Sequence, residues 1–527
     1  MLSRLGLAGL RRGFSSSSAA ALHSPLSLVC SGCGTVVDGS KEATFKCSNA
    51  ARRLDVDHVL VPAPLADGLG TGVSAEDLSS TNPFVRYRGL LYSHRVALAR
   101  GMSDAQYVEM ANNLNEALHT TGGISFSETP MVYHEPLHAF LKVEVSNVGQ
   151  SHKARHLANV MLYLLALKHT QAAASDAATA TALGSRRLAV ASCGNAGLAA
   201  AEVAAAAEWP IDVCIPPDAD DAVKARLAQL APRGVATLIC DRSGADVPTA
   251  YGPVRSDGAA DPTLAVMNEL VASHGSIPFS VQGSACGLAV EGSQTLAWEV
   301  LTQLKRDYPQ VARLGNMYVQ VGGGALGAGI AQGMRRAIHG ETGRDDATPL
   351  MAPSLQDEPT LVCVQPDGCQ PLDRAWSRVV ADAVTPREAA QVRDSYMWPW
   401  HAPHSVAHGI LDDETYDWVA LCEGMARTGG GTLSVSDEAI RQAHTYAHGT
   451  LGVRACHTGA AGLAALMRSR HAQPPTDGTP PDLVVLSGLD RSYHVEQAFT
   501  KGFPKLDRLG MLMYGNVGEA PTASASP

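Results

Sequence analysis

The sequence contains 527 residues, 45% of them hydrophobic and 17% charged, which is enough chain for two or three domains with sizeable cores. The formal net charge of −10 and the lack of clustered Lys and Arg argue against a nucleic-acid-binding surface. Apolar runs such as Val160–Leu167 are too short to cross a bilayer, and 11 irregularly spaced cysteines are typical of reduced thiols inside cells. We therefore expect a soluble protein that acts on a small molecule.

Residues 1–24 have the composition of an organelle transit peptide. Arg4, Arg11 and Arg12 accompany a serine run and leucines at helical spacing, and no acidic residue precedes Asp38. A disordered tail also tolerates Ser and Ala, but it has no reason to exclude Asp and Glu. The pattern favours the mitochondrion, with the plastid as the alternative.

Residues 25–120 are expected to form an N-terminal extension that packs on a catalytic core. Near its start, Cys30 and Cys33 form a CxxC pair that Cys47 follows, which supplies three of the four ligands of a closed zinc site. No second CxxC pair follows, and the spacing of His58 matches no standard pattern. A thiol cluster without metal is therefore the preferred interpretation.

From about Thr129 onward, short β-branched runs alternate with helical stretches, which indicates an α/β protein with largely parallel sheets. The strands are predicted at Leu188–Ala191, Ile211–Ile215, Ala236–Cys240, Met317–Val321, Leu361–Val364 and Leu483–Leu486. The helices are predicted at Asp104–Leu118, Lys153–Lys168, Ala196–Ala207, Ala222–Leu230, Ser293–Leu304, Leu326–Ile338 and Ser436–His448. Ligands in such folds bind at the carboxyl ends of strands, where glycine-rich turns lead into helices.

The catalytic core is expected to span residues 121–515, with a smaller lobe over about 145–285 nested in a larger one, before a disordered tail over 516–527. The stretch after Pro366 is interpreted as a long loop. Its acidic run Asp412–Glu414 is interpreted as a solvated face rather than a metal site, because nothing in the sequence holds these carboxylates on one side.

A glycine-rich turn follows the predicted strand that ends at Val321 and opens a helix. This glycine loop consists of Gly322, Gly323, Gly324, Ala325, Leu326 and Gly327. Backbone N–H groups at a helix start bind anions, so the loop predicts a phosphate cradle. The G-x-G-x-x-G spacing also fits a dinucleotide site, but the acid expected about 20 residues on, at the end of the next strand, falls instead in the polar stretch Gly340–Asp346.

A lysine lies between a polar turn and the start of a helix, in the segment Ser151-His152-Lys153-Ala154-Arg155. The helix dipole and the charge of Arg155 are expected to push Lys153 towards the neutral amine. A neutral amine is what a nucleophile that forms a Schiff base must be. A solvated surface side chain is the commoner fate of a single lysine, and the agreement with the other motifs outweighs it.

A second glycine-bearing turn follows the strand that ends at Ala191, and it consists of Ser192, Cys193, Gly194, Asn195, Ala196 and Gly197. Its exposed amides suit a substrate carboxylate, which we assign to the part from Ser192 to Asn195. Asn195 adds a neutral donor for a phenolate oxygen. A helix-capping turn explains this loop about equally well when it is taken alone.

The order of these motifs along the chain is the one found in fold-type II pyridoxal-phosphate (PLP) enzymes, the tryptophan synthase beta-like superfamily: the lysine segment, the second turn, the glycine loop and the final strand. The chain resembles that family from about Thr129 to Met511. The resemblance implies a Schiff base between PLP and Lys153, a contact of Asn195 with the 3′ oxygen, and phosphate binding by the glycine loop.

The resemblance also implies that Ser487, after the last strand, meets the pyridine nitrogen. A neutral hydroxyl leaves that nitrogen unprotonated, which suits eliminations. Ser487 as a plain turn residue is the alternative.

Within the family, several motifs resemble threonine synthases: the CxxCG start, the stretch Asn82–Arg88, Thr129-Pro130, and an E-G-x-x-T-x-x-x-E pattern at Glu291, Gly292, Thr295 and Glu299. The stretch Gly197–Ala201 resembles serine dehydratases instead. The lysine motif departs from both, because His152 replaces the usual aromatic residue and Ala154 the usual acid. His152 is expected to contact the cofactor face, to shuttle protons, or to fill the space of the aromatic ring.

The resemblance implies a two-lobed α/β fold with largely parallel sheets, helices on both faces and PLP in the cleft. The implied activity is a PLP-dependent carbon–oxygen lyase acting on a small amino acid, threonine-synthase-like on O-phosphohomoserine. The alternatives are a serine/threonine ammonia-lyase that yields a 2-keto acid, and a PLP-binding protein with a structural or regulatory role. We expect a homodimer without a metal, a membrane anchor or a nucleic-acid partner.

Overall fold

A computed structural model of the chain describes residues 24, 26–50, 56–63, 73, 77–173, 183–243, 245–255, 261–340 and 355–491. The predicted transit peptide, apart from Ser24, and the predicted tail lie outside these described residues. No helix in the described part of the chain is long and apolar enough to cross a membrane.

The N-terminal extension begins with an antiparallel sheet in the order β2-β1-β3, formed by β1 (Ser27–Cys30), β2 (Val36–Asp38) and β3 (Leu60–Pro62). It continues with helices α1 (Pro83–Arg86), α2 (Tyr92–Ala99) and α3 (Asp104–Gly122). A capping box between Ser103 and Gln106 starts α3, and the left-handed Gly123 ends it. The predicted helix at Asp104 is confirmed and is one turn longer than expected.

The catalytic core alternates strands and helices. Its strands are β4 (Met131–His134), β5 (Ala139–Val143), β6 (Leu188–Ala191), β7 (Ile211–Ile215), β8 (Val235–Ile239), β9 (Val247–Thr249), β10 (Gly252–Val254), β11 (Ile277–Pro278), β12 (Asn316–Gln320), β13 (Thr360–Pro366), β14 (Gly431–Val435) and β15 (Asp482–Leu486). Its helices are α4 (Lys153–Ala173), α5 (Asn195–Ala206), α6 (Asp221–Leu230), α7 (Pro262–His274), α8 (Leu288–Asp307), α9 (Ala325–His339), α10 (Pro371–Ala381), α11 (Pro386–Ala390), α12 (Trp418–Thr428), α13 (Asp437–Gly449) and α14 (His457–Ala472).

Two sheets organise this core. The larger sheet has the order β14-β13-β12-β15-β5-β4, and every pair in it is parallel except β4 with β5. The smaller sheet has the order β11-β6-β7-β8 and is parallel throughout. Its strands lie in sequence between β5 and β12, while β9 and β10 form a separate hairpin. The predicted α/β class is confirmed, and the lobe boundaries stay a prediction.

The prediction of a long loop after Pro366 is wrong. Helices α10 and α11 follow in that stretch, before α12, and Trp376 of α10 is buried in the main hydrophobic core. Helix α14 is also absent from the sequence prediction, because its buried stretch Gly459–Leu466 is a continuous run of small and apolar residues without helical periodicity.

A fully buried ion cluster joins β5, α4 and α8, and it comprises Lys142, Glu144, Arg155 and Glu299. Arg155 donates to both oxygens of Glu144 at 2.8 and 3.0 Å and to both oxygens of Glu299 at 2.8 and 2.9 Å. Lys142 donates to Glu299 at 2.8 Å. The remaining polar atoms are satisfied by uncharged neighbours, namely Thr129, Thr295 and Gln303.

We predict that Glu299→Gln destabilises the protein by about 3 to 5 kcal/mol, because it leaves buried positive charge without its partner. Burial raises the pKa of Glu299, but the charges of Arg155 and Lys142 outweigh this effect and hold that pKa well below its usual range. The folded pKa is therefore below the unfolded one, so this stabilisation is present above the unfolded pKa and is lost as the pH falls through the folded pKa. Urea unfolding followed by tryptophan fluorescence at several pH values measures it.

The matched control is Asp307→Asn at the last residue of the same helix. Asp307 pairs with Arg306, and their side chains are 43% and 54% exposed, so the change should cost less than about 1 kcal/mol. Equal effects of the two variants would contradict a structural role for the ion cluster.

Candidate active site

Lys153 is the first residue of α4, and the two residues before it are held by the turn that follows β15. The backbone N–H of His152 donates to the carbonyl oxygen of Ser487 at 3.0 Å, and Ser151 forms a β-bridge with Gly488. These contacts anchor the residues that precede the lysine. The start of α4 therefore lies against the carboxyl end of the larger sheet, where α/β proteins bind ligands.

Burial lowers the pKa of Lys153, while the nearby carboxylates of Asp412 and Asp417 oppose that shift. The expectation that Arg155 drives the lysine towards neutrality is wrong, because Glu144 and Glu299 compensate the Arg155 charge within the ion cluster. Desolvation rather than a neighbouring cation favours the neutral amine. The amine is thus prepared as a nucleophile.

Ser487 follows β15 and is 3% exposed. Its hydroxyl accepts a hydrogen bond from the side-chain amide of Gln320, which ends the neighbouring strand β12. The hydroxyl hydrogen remains available for another acceptor. The uncharged side chains of Ser487 and Gln320 are therefore in contact at the carboxyl end of the larger sheet.

Asn195, the first residue of α5, lies close to the same turn. A Cβ built on Gly488 would be 2.8 Å from the side-chain nitrogen of Asn195 and 3.6 Å from Cβ of Ser151. Three segments that are distant in sequence, the lysine segment, the second glycine-bearing turn and the turn after β15, thus meet at Gly488. Only a residue without a side chain allows so close an approach.

The turn before α5 is tightly folded. The Ser192 hydroxyl accepts from the backbone N–H of Gly194 at 3.4 Å, and a Cβ on Gly197 would lie 2.2 Å from the carbonyl oxygen of Ser192. Cys193 is exposed at the tip of the turn. The Ser192 hydroxyl therefore satisfies a backbone N–H within the turn, but no side chain caps α5 at Gly194. The turn directs the start of α5 towards the lysine segment. Its assignment to a substrate carboxylate stays a prediction.

The glycine loop joins β12 to α9, and Ala325, Leu326 and Gly327 form the first turn of that helix. Gly324 has φ of 102°, a backbone conformation that favours glycine. A Cβ on Gly322 would be 2.3 Å from a carboxylate oxygen of Asp412, and the backbone N–H of Gly323 is directed at the same carboxylate. The loop therefore does present a backbone donor to an oxyanion, which here belongs to the chain itself.

The interpretation of Asp412–Glu414 as a solvated face is corrected by this contact. Asp412 faces the glycine loop and Lys153, and burial raises its pKa. Glu414 pairs with Arg393 at 2.6 Å, and only Asp413 is exposed. Three consecutive acids therefore have three different environments, which the sequence alone does not reveal.

Asp417 and Tyr416 complete the wall over the glycine loop, and the sequence analysis singles out neither. Burial raises the pKa of Asp417 to about 8. Its backbone N–H donates to the carbonyl oxygen of Gly323 at 2.9 Å. The Tyr416 ring packs over Gly323, where an added Cβ would lie 2.9 Å from Cδ2.

His152 forms a neutral pair with His156. The Nδ1 of His156 lies 2.8 Å from the carbonyl oxygen of Ala289 and must donate to it, so Nε2 accepts from Nδ1 of His152 at 3.2 Å. Burial lowers the pKa of His156 to about 3 and also lowers that of His152, with a further contribution from the Lys153 charge. Of the roles considered for His152, this arrangement favours filling and orienting over proton shuttling.

The E-G-x-x-T-x-x-x-E pattern lies on α8 and supports α4. Thr295 and Glu299 bind Arg155, and a Cβ on Gly292 would be 2.2 Å from the Arg155 carbonyl oxygen. Glu291 accepts from the side chain of Asn159 in α4 at 3.1 Å. These residues hold the helix that begins with Lys153 rather than contacting a ligand.

The cofactor implied by the resemblance needs an amine for its aldehyde, donors for its phosphate and a partner for its ring nitrogen. The amine of Lys153, the backbone N–H of Gly323 and the Ser487 hydroxyl would supply these three functions. A phosphate that enters the loop must displace the Asp412 carboxylate from Gly323. The residues present therefore fit the group.

Comparisons with known proteins place these residues within a family. The sequence profile of the family described as pyridoxal-phosphate dependent enzyme matches residues 125–487, and no curated protein matches the chain. Among solved structures, maize serine racemase has a TM-score of 0.48 at 16% identity and covers 74% of this chain and 96% of its own. A threonine deaminase from T.th. has a TM-score of 0.46 at 19% identity, covering 72% of this chain and 98% of its own.

Diaminopropionate ammonia lyase from Escherichia coli has a TM-score of 0.48 at 14% identity, covering 74% of this chain and 91% of its own. Similarities at this level leave the reaction open. The family profile, in contrast, spans most of the chain and includes every motif of the site. The chain therefore belongs to the family of pyridoxal-phosphate dependent enzymes, with pyridoxal 5′-phosphate as its cofactor.

Proposed function

We propose that this enzyme is a lyase that eliminates a β substituent from an amino acid and releases a 2-keto acid and ammonia. The side chain of its substrate is neutral or positively charged. The observation that carries the proposal is the acidic character of the space between the two glycine-bearing turns.

Carboxylates raise the pKa of one side chain at each of the two turns. Burial, Asp412 and Asp413 raise the pKa of Tyr416 over the glycine loop, and Glu414 and Asp261 add to the shift. Burial, Asp218 and Asp261 raise the pKa of Cys193 at the tip of the other turn. Because the charge of Asp261 raises the pKa of both groups, we infer that the two turns flank one acidic region. With the cofactor phosphate already in the glycine loop, a second dianionic phosphate on the substrate is repelled there, whereas a neutral or cationic side chain is not.

When bound, PLP supplies the electron sink that weakens bonds at the α carbon of an amino acid. Desolvation lowers the pKa of Lys153 and so favours the neutral amine, which is the group able to accept the α proton. The amides before α5 are suited to the substrate carboxylate, since a helix start favours negative charge. The uncharged Ser487 and Gln320 pair leaves the ring nitrogen without a carboxylate partner, which favours elimination.

Threonine-synthase-like replacement on O-phosphohomoserine is the second candidate. The E-G-x-x-T-x-x-x-E pattern is the observation that favours it. This pattern supports the lysine helix through Arg155 and therefore carries less information about the substrate than its resemblance implies.

We predict that borohydride reduction of the purified enzyme fixes the cofactor on Lys153, and that peptide mapping finds one labelled peptide. Lys153→Ala should abolish the label. Lys168→Arg is the matched control, because the Lys168 ammonium lies 4.9 Å from the centre of the Trp209 ring, where it has a structural role. A label on Lys142 or Lys168 in the wild-type enzyme would contradict the assignment of Lys153 as the residue that binds the cofactor.

We predict that the enzyme releases a keto acid and ammonia from serine, threonine or 2,3-diaminopropionate faster than it releases phosphate from O-phosphohomoserine. Asp413→Asn removes one exposed charge of the acidic space, so KM should rise for the cationic substrate and fall for the phosphorylated one. Each shift should be roughly twofold, or about 0.5 kcal/mol. Product assays and steady-state kinetics measure both.

Asp307→Asn, remote from the site on α8, should leave both KM values unchanged. Phosphate release with threonine as the main product would support the second candidate instead. Retention of PLP without turnover of any of these substrates would support the structural or regulatory role.

A further inference from the structure

Three cysteines and a histidine of the N-terminal extension come together at one end of its small sheet. Cys30 ends β1, Cys33 lies in the turn that follows, Cys47 comes from the stretch after β2, and His58 precedes β3. Their three sulfur atoms and a histidine ring nitrogen all lie within 4.8 Å of one another. Because His58 comes from a separate segment just before β3, its spacing from the cysteines matches no standard zinc-site pattern.

Two separations within this group are close to the edges of a metal-centred tetrahedron. Zinc bonds of about 2.3 Å to sulfur and about 2.0 Å to nitrogen place two sulfurs roughly 3.8 Å apart and a sulfur and a nitrogen roughly 3.5 Å apart. The sulfurs of Cys33 and Cys47 are 3.5 Å apart, and Cys30 Sγ is 3.3 Å from Nδ1 of His58. A disulfide, with sulfurs about 2.05 Å apart, does not describe this arrangement.

Donors around the sulfurs resemble the outer shell that orients metal ligands. The backbone N–H groups of Gly32 and Cys33 face the Cys30 sulfur, and the backbone N–H of Asn49 donates to Cys47 Sγ at 3.4 Å. The Thr35 hydroxyl lies 3.1 Å from Cys33 Sγ. Such donors stabilise thiolates and fix their direction.

The turn that carries the first two cysteines requires its glycines. A Cβ on Gly32 would be 1.7 Å from the carbonyl oxygen of Asp57, and Gly34 has φ of 72°. The turn is closed by backbone hydrogen bonds from Gly34 N to Cys30 O at 2.9 Å and from Cys30 N to Thr35 O at 2.8 Å. Close backbone packing therefore holds the turn with Cys30 and Cys33 against the segment that contains His58.

We propose that Cys30, Cys33, Cys47 and His58 bind one zinc ion in a closed structural site. Four protein ligands leave no open position, and a set of three thiolates and one imidazole is typical of structural zinc. Nothing in the PLP site depends on this ion directly, so the inference goes beyond the proposed function.

The site would fasten the extension to the catalytic core. The side-chain amide of Gln391 donates to the Gly32 carbonyl oxygen at 2.6 Å, and the backbone N–H of Asp57 donates to the Ala390 carbonyl oxygen at 3.1 Å. Gly32 and Asp57 are each adjacent to a ligand. Loss of the ion should therefore loosen contacts between the extension and the segment around the end of α11.

The test is metal analysis of the full-length holoenzyme purified without chelators. We expect about one zinc per chain, loss of most of it in His58→Ala, and retention in His58→Cys, which offers four thiolates. Cobalt exchanged into the wild-type protein should give the strong visible bands of a tetrahedral site and a near-ultraviolet thiolate band. That thiolate band should intensify in His58→Cys.

His444→Ala is the matched control, because His444, His448 and Asp490 form the second group of possible metal ligands in the described part of the chain. This variant should keep the zinc. Zinc lost from His444→Ala but kept in His58→Ala would overturn the assignment, as would wild-type protein that takes up neither zinc nor cobalt. A Cys33–Cys47 disulfide found by mass spectrometry in freshly purified protein would also overturn it, even if the variants do not fold.

Discussion

The geometry of the site depends on the ion cluster that joins β5, α4 and α8. Arg155 lies two residues after Lys153 and is held on both sides by carboxylates, so α4 cannot slide or rotate without separating buried charges. Two positive and two negative groups compensate each other, and Thr129, Thr295 and Gln303 satisfy the remaining polar atoms. A buried cluster of this kind contributes little net stability but strongly penalises misplacement.

Charge compensation in the cluster has a consequence for the lysine itself. Because Arg155 is neutralised, the electrostatic surroundings of Lys153 are set by burial on one side and by Asp412 and Asp417 on the other. Burial favours the neutral amine and the two acids favour the ammonium, so the balance is sensitive to any change at these acids. An anion that displaces Asp412 from Gly323 would change that balance at the same moment as it fills the glycine loop.

Local patterns in the sequence predict much of this structure. The strand Ile211–Ile215 is predicted to the residue, and the glycine loop and the turn before α5 lie where glycine spacing indicates. These features depend on neighbouring residues only. The roles of Asp412 and Asp417 cannot be predicted in this way, because each depends on a packing contact with a loop about 90 residues earlier in the chain. The E-G-x-x-T-x-x-x-E pattern shows the converse, since a motif that is visible in the sequence holds a helix rather than a ligand.

The N-terminal extension lies closer to the chemistry than its sequence suggests. Asp57 is 3.7 Å from Arg393, and Arg393 in turn pairs with Glu414 at the acidic wall of the site. The charge of Asp57 also contributes to the raised pKa of Asp417, after burial. A segment outside the catalytic core therefore bears on the protonation of a side chain that faces Lys153. The hydrogen bond from the backbone N–H of Asp57 to the Ala390 carbonyl oxygen at 3.1 Å ties Asp57 to the catalytic core, and so sets where its charge lies relative to Asp417.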